Sequence, residues 1–179
     1  MPVTDATGTD VLLIGGRSGV GKTTVGYEVS AQLQAAAVAH CLIDGDNLDA
    51  AYPTPADDPH GTRLTEANLA ALWRTYAALG HRRAVYVNTA SVLEPELVVR
   101  GVGGVATVVA ILLTAADDTV QPRLANREIG SGLQLHLDRS ARMAAVLDSR
   151  SPAGTHRVPT DGRSVTDIAA DIVEITGWR

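Results

Sequence analysis

Gly16-Arg17-Ser18-Gly19-Val20-Gly21-Lys22-Thr23 has the spacing G-x-x-x-x-G-K-[ST], that of a loop built to hold a polyphosphate. The residue types suit that work. Glycine admits positive φ, so successive N–H groups turn inward as an anion nest. A helix starting there, at Lys22, Thr23 and Thr24, aims its positive end at the same point. Lys22 offers a compact cation to the β- and γ-phosphates, and the Thr23 hydroxyl is a ligand for Mg²⁺. Lys22 is the chain's only lysine. All its other basic side chains carry the planar guanidinium, which suits other geometries. The plain alternative is a glycine-rich turn with an incidental lysine. The context argues against it: the apolar run Val11–Ile14 comes before, and a helical stretch of residues 24–33 follows.

Two further groups carry chemistry. Asp44-Gly45-Asp46-Asn47 follows the apolar run at residues 39–43. Nearly continuous apolar runs mark strands of a parallel sheet buried on both faces, and the C-terminal ends of such strands are where open α/β sheets bind ligands. A carboxylate there can orient a hydroxyl or take its proton. The competing use is an Asp-Gly turn that caps the next helix. Arg123 and Arg127, four apart, share a helix face. Guanidinium groups there could stabilise charge on a transferring phosphoryl group, an effect worth roughly 10³–10⁵ in rate. Arg139 and Arg142 are further candidates. A solvated face beside Glu128 and Asp138 is the alternative for these arginines.

The pattern along the chain must position these groups. Strands are expected at about residues 11–14, 39–43, 84–87, 106–113 and 156–160. Helices are expected at about 22–37, 62–79, 94–100, 133–147 and 164–176, with another carrying Arg123 and Arg127. The second helix has an apolar stripe of Leu64, Leu69, Leu72, Trp73 and Tyr76, and Gly80 ends it. Leu48 to Tyr52 could form a helical turn. A proline-rich loop at residues 53–59, bearing Asp57 and Asp58, stands where it could cover a substrate. Gly130-Ser131-Gly132 breaks the arginine-bearing region in two. Strands alternating with helices define an α/β fold with a parallel sheet and right-handed crossovers.

Composition sets bounds. The 179 residues fit one domain. Residues 1–10 read as a loose polar tail without the features of a signal peptide. No apolar run reaches the length of a membrane span. A net charge of −5 argues against nucleic acid as the main partner. Cys41, the sole cysteine, reads as a buried strand residue and fits a reducing, cytoplasmic setting. The five histidines show no metal-ligand spacing. Phenylalanine is absent, so Ala, Val and Leu must fill the core.

From Val11 to Trp178 the chain resembles the small P-loop kinases that phosphorylate metabolites: the adenylate, shikimate, gluconate and adenylylsulfate kinases. The resemblance rests on the phosphate loop, on Asp44-Gly45-Asp46-Asn47 and on the segment Arg123 to Arg142. It implies a three-layer sandwich around a five-stranded parallel sheet of order 2-3-1-4-5. It also implies an arginine-bearing lid at about residues 117–142, hinged at Gly130 and Gly132, and an adenine site at residues 155–163. By the same resemblance Asp44 lies near the magnesium and Asp46 contacts the acceptor hydroxyl. Adenylylsulfate kinases also read Asp-Gly-Asp-Asn here. Where they carry a Ser-Pro-Tyr-Arg-like stretch, however, this chain has Asn88-Thr89-Ala90-Ser91.

The expected activity is transfer of the γ-phosphate of MgATP to a hydroxyl of a small molecule, with ATP as donor inherited from the resemblance. The expected partners are ATP and that acceptor, with no membrane and no nucleic acid. A monomer and a homodimer both remain open. Two alternatives stand. One is a kinase for a nucleotide or nucleic-acid acceptor. The other is an ATPase or switch module acting on a protein partner.

Overall fold

The computed structural model describes residues 8–127 and 133–178. Five parallel strands form one sheet: β1 (Thr9–Gly15), β2 (Cys41–Asp44), β3 (Arg83–Val87), β4 (Ala106–Thr114) and β5 (His156–Pro159), in the order β2-β3-β1-β4-β5. The helices are α1 (Lys22–Ala35), α2 (Thr62–Ala78), α3 (Pro95–Gly101), α4 (Asp117–Arg127), α5 (Leu133–Arg150) and α6 (Val165–Thr176).

Period-two alternation splits the apolar strands between two cores. Leu12, Ile14, Val85, Val87, Ile111 and Leu113 face α1 and α6, where Val25, Val29, Leu33, Ile168 and Ile172 meet them. Val11, Leu13, Ala84 and Tyr86 face the other way, onto Leu69 and Trp73 of α2 and Leu97 and Val98 of α3. A smaller cluster of Val92, Leu112 and Leu147 seats α5. Of the stripe expected on α2, Leu69 and Trp73 are buried, while Leu72 reaches solvent.

Several expectations are corrected. Thr9 and Asp10 belong to β1 rather than to a tail: Thr9 donates to the Val105 carbonyl and Asp10 to that of Arg82. Ala39 and His40 precede β2. The His40 ring is held by the Val38 carbonyl and the Ser30 hydroxyl instead of entering the ladder. The helical turn expected at residues 48–52 is a 3₁₀ turn at Gly45–Asn47. Asp44 starts it by accepting the Asp46 N–H at 3.1 Å. The expected hinge, Gly130-Ser131-Gly132, lies outside the described residues.

Cys41 is buried as expected. Burial is the main cause pushing its thiol up to about 11, so it stays protonated at neutral pH.

Candidate functional site

The phosphate loop leaves the C-terminal end of β1 and turns into α1. Gly16 has φ of 147°, and a Cβ there would sit 2.8 Å from the Leu113 carbonyl oxygen. Gly21, at 102°, is the N-cap of α1, so the first N–H groups of that helix face the loop. Lys22 is buried, and its ammonium donates to the Arg17 carbonyl at 3.5 Å. Ser18, Gly19, Gly21, Lys22, Thr23 and Thr24 share a cleft of about 150 Å³ with Asp46. The loop and the Asp-Gly-Asp segment, far apart in sequence, therefore form one site.

Arg17 departs from a simple role in phosphate binding. Its side chain is 6% exposed and turns toward the helices that follow β4. One guanidinium nitrogen pairs with Asp117 at the start of α4 at 2.5 Å, and Nε donates to the Ser140 hydroxyl of α5 at 3.0 Å. Ser140 in turn donates to the Ser18 carbonyl at 2.9 Å. The loop is thus tied to α4 and α5 through the buried Arg17 guanidinium, which joins buried Ser140 and the solvent-exposed carboxylate of Asp117. Nothing in the sequence marked Ser140. Replacing Arg17 with methionine keeps the aliphatic volume and removes the network. The expected loss is about 1–3 kcal/mol, read by urea unfolding, together with weaker nucleotide binding. An unchanged midpoint would show that the network contributes nothing.

Asp46 lies where β2 and β3 end side by side, Asp44 being in register with Val87. Its Oδ1 accepts from Asn88 Nδ2 at 3.1 Å and from the Thr89 N–H at 3.2 Å. Asn88 is itself oriented, because its Oδ1 accepts the Ala90 N–H at 2.9 Å and leaves the amide nitrogen facing Asp46. The Thr89 carbonyl accepts the Gly16 N–H at 3.2 Å. One turn after β3 therefore holds both the carboxylate and the first glycine of the loop. With Oδ1 engaged by two donors, Oδ2 remains for another group.

Beneath this turn stands Tyr86, 2% exposed. A Cβ on Gly45 would collide with its hydroxyl, so only glycine fits above it. Burial, then the charges of Asp46, Asp49, Glu94 and Asp44, push this phenol far above its ordinary range, so it stays neutral.

A second cleft, of about 190 Å³, opens on the other side of Thr23, between Thr23, Tyr27, Leu42, Asp44 and Val87. Thr23 and Asp44 thus face one space with oxygen donors. Among the described residues no group of three His, Cys, Asp or Glu side chains is placed to hold a metal. A sparse set of oxygens suits Mg²⁺, which keeps waters and takes phosphate oxygens rather than a full protein cage. The residues present fit that ion.

A third cleft, of about 210 Å³, lies between Val20, Gly21, Thr24, Val25, Arg123, Thr160, Arg163, Val165 and Ile168. Arg123 donates to the Val20 carbonyl at 3.3 Å. It therefore flanks the loop on the side of the β5–α6 turn, away from Asp46. Arg127 ends α4, but its side chain lies outside the described residues. Arg139 and Arg142 are exposed on α5.

Asp161, in the same turn, accepts the Ala116 N–H at 3.1 and 3.2 Å. The Thr119 hydroxyl first, then this N–H, hold its carboxyl below the usual range. A depressed folded pKa gives stability that is full above the ordinary carboxylate value and is lost as pH falls through the folded one. The difference in melting temperature between Asp161→Asn and the unmodified chain should therefore shrink from about pH 5 to about pH 3, around the ordinary value of ~3.9. A constant difference would contradict this.

No family profile matches the chain, and no curated protein matches it either. Solved structures do. A tunicamycin resistance protein from Deinococcus radiodurans is 16% identical, with a TM-score of 0.63 over 96% of this chain and 97% of that one. A gluconokinase from Sinorhizobium meliloti is 18% identical, with a TM-score of 0.56 over 94% and 91%. The Mycobacterium tuberculosis APS kinase, solved with AMPPNP and APS, is 22% identical, with a TM-score of 0.55 over 94% and 98%. The fold is that of the P-loop small-molecule kinases.

Proposed function

We propose that this chain is an ATP-dependent phosphotransferase that moves the γ-phosphate of ATP to a hydroxyl of a small molecule. The observation that carries this reading is the shared cleft: an aimed carboxylate, Asp46, faces the phosphate loop across about 150 Å³. A switch that only binds nucleotide has no need of such a carboxylate, whereas an ATPase could use it to orient water, so dependence on an acceptor separates the two readings.

The roles follow from position. The N–H groups of residues 16–24 and the ammonium of Lys22 hold the β- and γ-phosphates. The cleft between Arg123, Thr160 and Arg163 takes the nucleoside, as the resemblance implied for this turn, with Arg123 near the inner phosphates. Arg127, at the end of α4, is proposed to reach the phosphates. Mg²⁺ bound by Thr23, with Asp44 near it, would neutralise β- and γ-oxygens. Asp46 Oδ2 orients the acceptor hydroxyl and receives its proton as the oxygen bonds to the γ-phosphorus. The bond from that phosphorus to the β,γ-bridging oxygen breaks, and ADP leaves. Catalysis is then mainly positioning and preorganised charge.

The chain as given is proposed to be one such domain, working in the cytoplasm. No helix among the described residues is long and apolar enough to cross a membrane. Neighbours named for gluconate, for APS and for tunicamycin share the frame. The acceptor must therefore be read from the walls of the site.

The test is acceptor-dependent ADP formation. A metabolite-rich cell extract should raise ADP release from MgATP above the level in the same extract after desalting. Equal rates in both would favour the ATPase or switch reading.

A further inference from the structure

The cleft beside Thr23 has two unlike sides. Thr23 and Asp44 bring oxygens to one; carbon lines the other, from Tyr27, Leu42 and Val87. Mg²⁺ takes oxygen ligands, so the ion that fits this place leaves the carbon side without a use.

The packing of α1 builds the carbon side. Gly26 lies on that helix where a Cβ would come within 2.6 Å of Val87 Cγ2 and 3.7 Å of Leu42 Cδ1. Without one, α1 settles close over β2 and β3, and those two side chains become the floor. Tyr27, one turn after Thr23 on the same helix, is the wall. A lone exposed apolar residue calls for no explanation. This ring differs. Aromatic side chains are scarce, four tyrosines and two tryptophans with no phenylalanine. Tyr86, Trp73 and Trp178 are buried, and Tyr76 packs against the same core as Trp73. Two rings reach solvent, Tyr52 and Tyr27. Tyr27, 63% exposed, borders a cleft that shares Thr23 with the phosphate site. Asp44, on the rim of that cleft, accepts the Asp46 N–H at 3.1 Å, so the acceptor carboxylate adjoins it.

We propose that the acceptor is an alcohol carrying a neutral aromatic ring, with its hydroxyl at Asp46 and its ring against Tyr27, over Leu42 and Val87. This rests on the kinase reading and narrows it. A cleft of about 190 Å³ can take one six-membered ring, since an apolar cavity of about 150 Å³ takes up benzene. Aromatic pairs in offset or edge-to-face contact gain more than the area they bury. A polyol would set hydroxyls against Leu42 and Val87 without partners, and an unpaired buried hydroxyl costs binding. A charged group there would cost more. The step is the one already written: the acceptor oxygen bonds to the γ-phosphorus, its proton goes to Asp46, the bond to the β,γ-bridging oxygen breaks, and ADP departs. The ring takes no part in bond making.

Ring character can be tested before the acceptor is identified. A metabolite extract is passed in water at neutral pH over octadecyl silica, and the bound material is eluted with methanol. Flow-through and eluate are dried, redissolved and assayed for ADP formation from MgATP. The acceptor should be in the eluate. Activity that passes in the aqueous flow-through would overturn the proposal. No acceptor-dependent ADP in the unfractionated extract would instead remove the kinase reading, and this inference with it. With the active fraction in hand, Tyr27→Ala should raise the apparent KM for that fraction by about tenfold, the size of a lost aromatic pair, and leave kcat near its starting value. Tyr27→Phe keeps the ring and should restore the KM of the unmodified chain. Both variants should bind AMPPNP with Mg²⁺ as the unmodified chain does, by calorimetry. An unchanged KM in Tyr27→Ala, a KM as high in Tyr27→Phe, or weakened AMPPNP binding would each contradict a role in holding the acceptor's ring.

Discussion

Lys22→Ala should abolish turnover and leave the fold standing. Lys22 sits at the first turn of α1, and its ammonium reaches back to the Arg17 carbonyl at the mouth of the phosphate cleft. In the substituted chain the β- and γ-oxygens lose the one compact cation in the sequence. Charge on the transferring group is then stabilised only by N–H groups and whatever arginine approaches. A loss of about 10³-fold or more is expected from removing such a group. The apolar residues that hold α1 to the sheet, Val25, Val29 and Leu33, are untouched. Circular dichroism and the thermal midpoint should stay near those of the unmodified chain. A folded variant with full activity would remove the loop from catalysis.

Asp46→Asn should separate binding from transfer. The substitution is nearly isosteric, and its oxygen can still accept from Asn88 and from the Thr89 N–H. It removes the charge and the basic oxygen left facing the cleft. Transfer should fall by about 10²–10⁴-fold, the range for a positioned acid–base group. AMPPNP binding with Mg²⁺, measured by calorimetry, should be retained, because the proposed nucleotide contacts, the loop and the cleft around Arg123, are untouched. Loss of nucleotide binding with the same variant would move Asp46 from the acceptor to the metal.

Much of this was legible in the sequence where local chemistry and global position coincide. The glycine spacing with Lys22 and Thr23 fixes a strand–loop–helix, because few other backbones satisfy it. The continuous apolar runs reveal a sheet covered on both faces. Element ends were less legible. The 3₁₀ turn at Gly45–Asn47 forms because a side chain, Asp44, competes for a backbone N–H, and hydropathy carries no trace of that. The orientation of Asp46 was hidden for a different reason. It depends on β2 and β3 lying side by side in a register that brings residues 42 apart in sequence into one hydrogen bond. Arg17 was read as one more loop residue. Only the packing of α4 and α5 shows its guanidinium joined to Asp117 and Ser140. Tyr86 read as a strand residue, and its place directly under Gly45 appears only in the fold.

The central claim is transfer of a phosphoryl group to a small molecule, and γ-labelled ATP tests it most directly. The protein is incubated with γ-labelled ATP and Mg²⁺ in metabolite-rich extract and in desalted extract, with Lys22→Ala as control, and the products are separated. The account predicts a new labelled small molecule in the metabolite-rich sample, absent from the desalted one and from the variant. Label recovered only as free phosphate, at the same rate in both extracts, would contradict it.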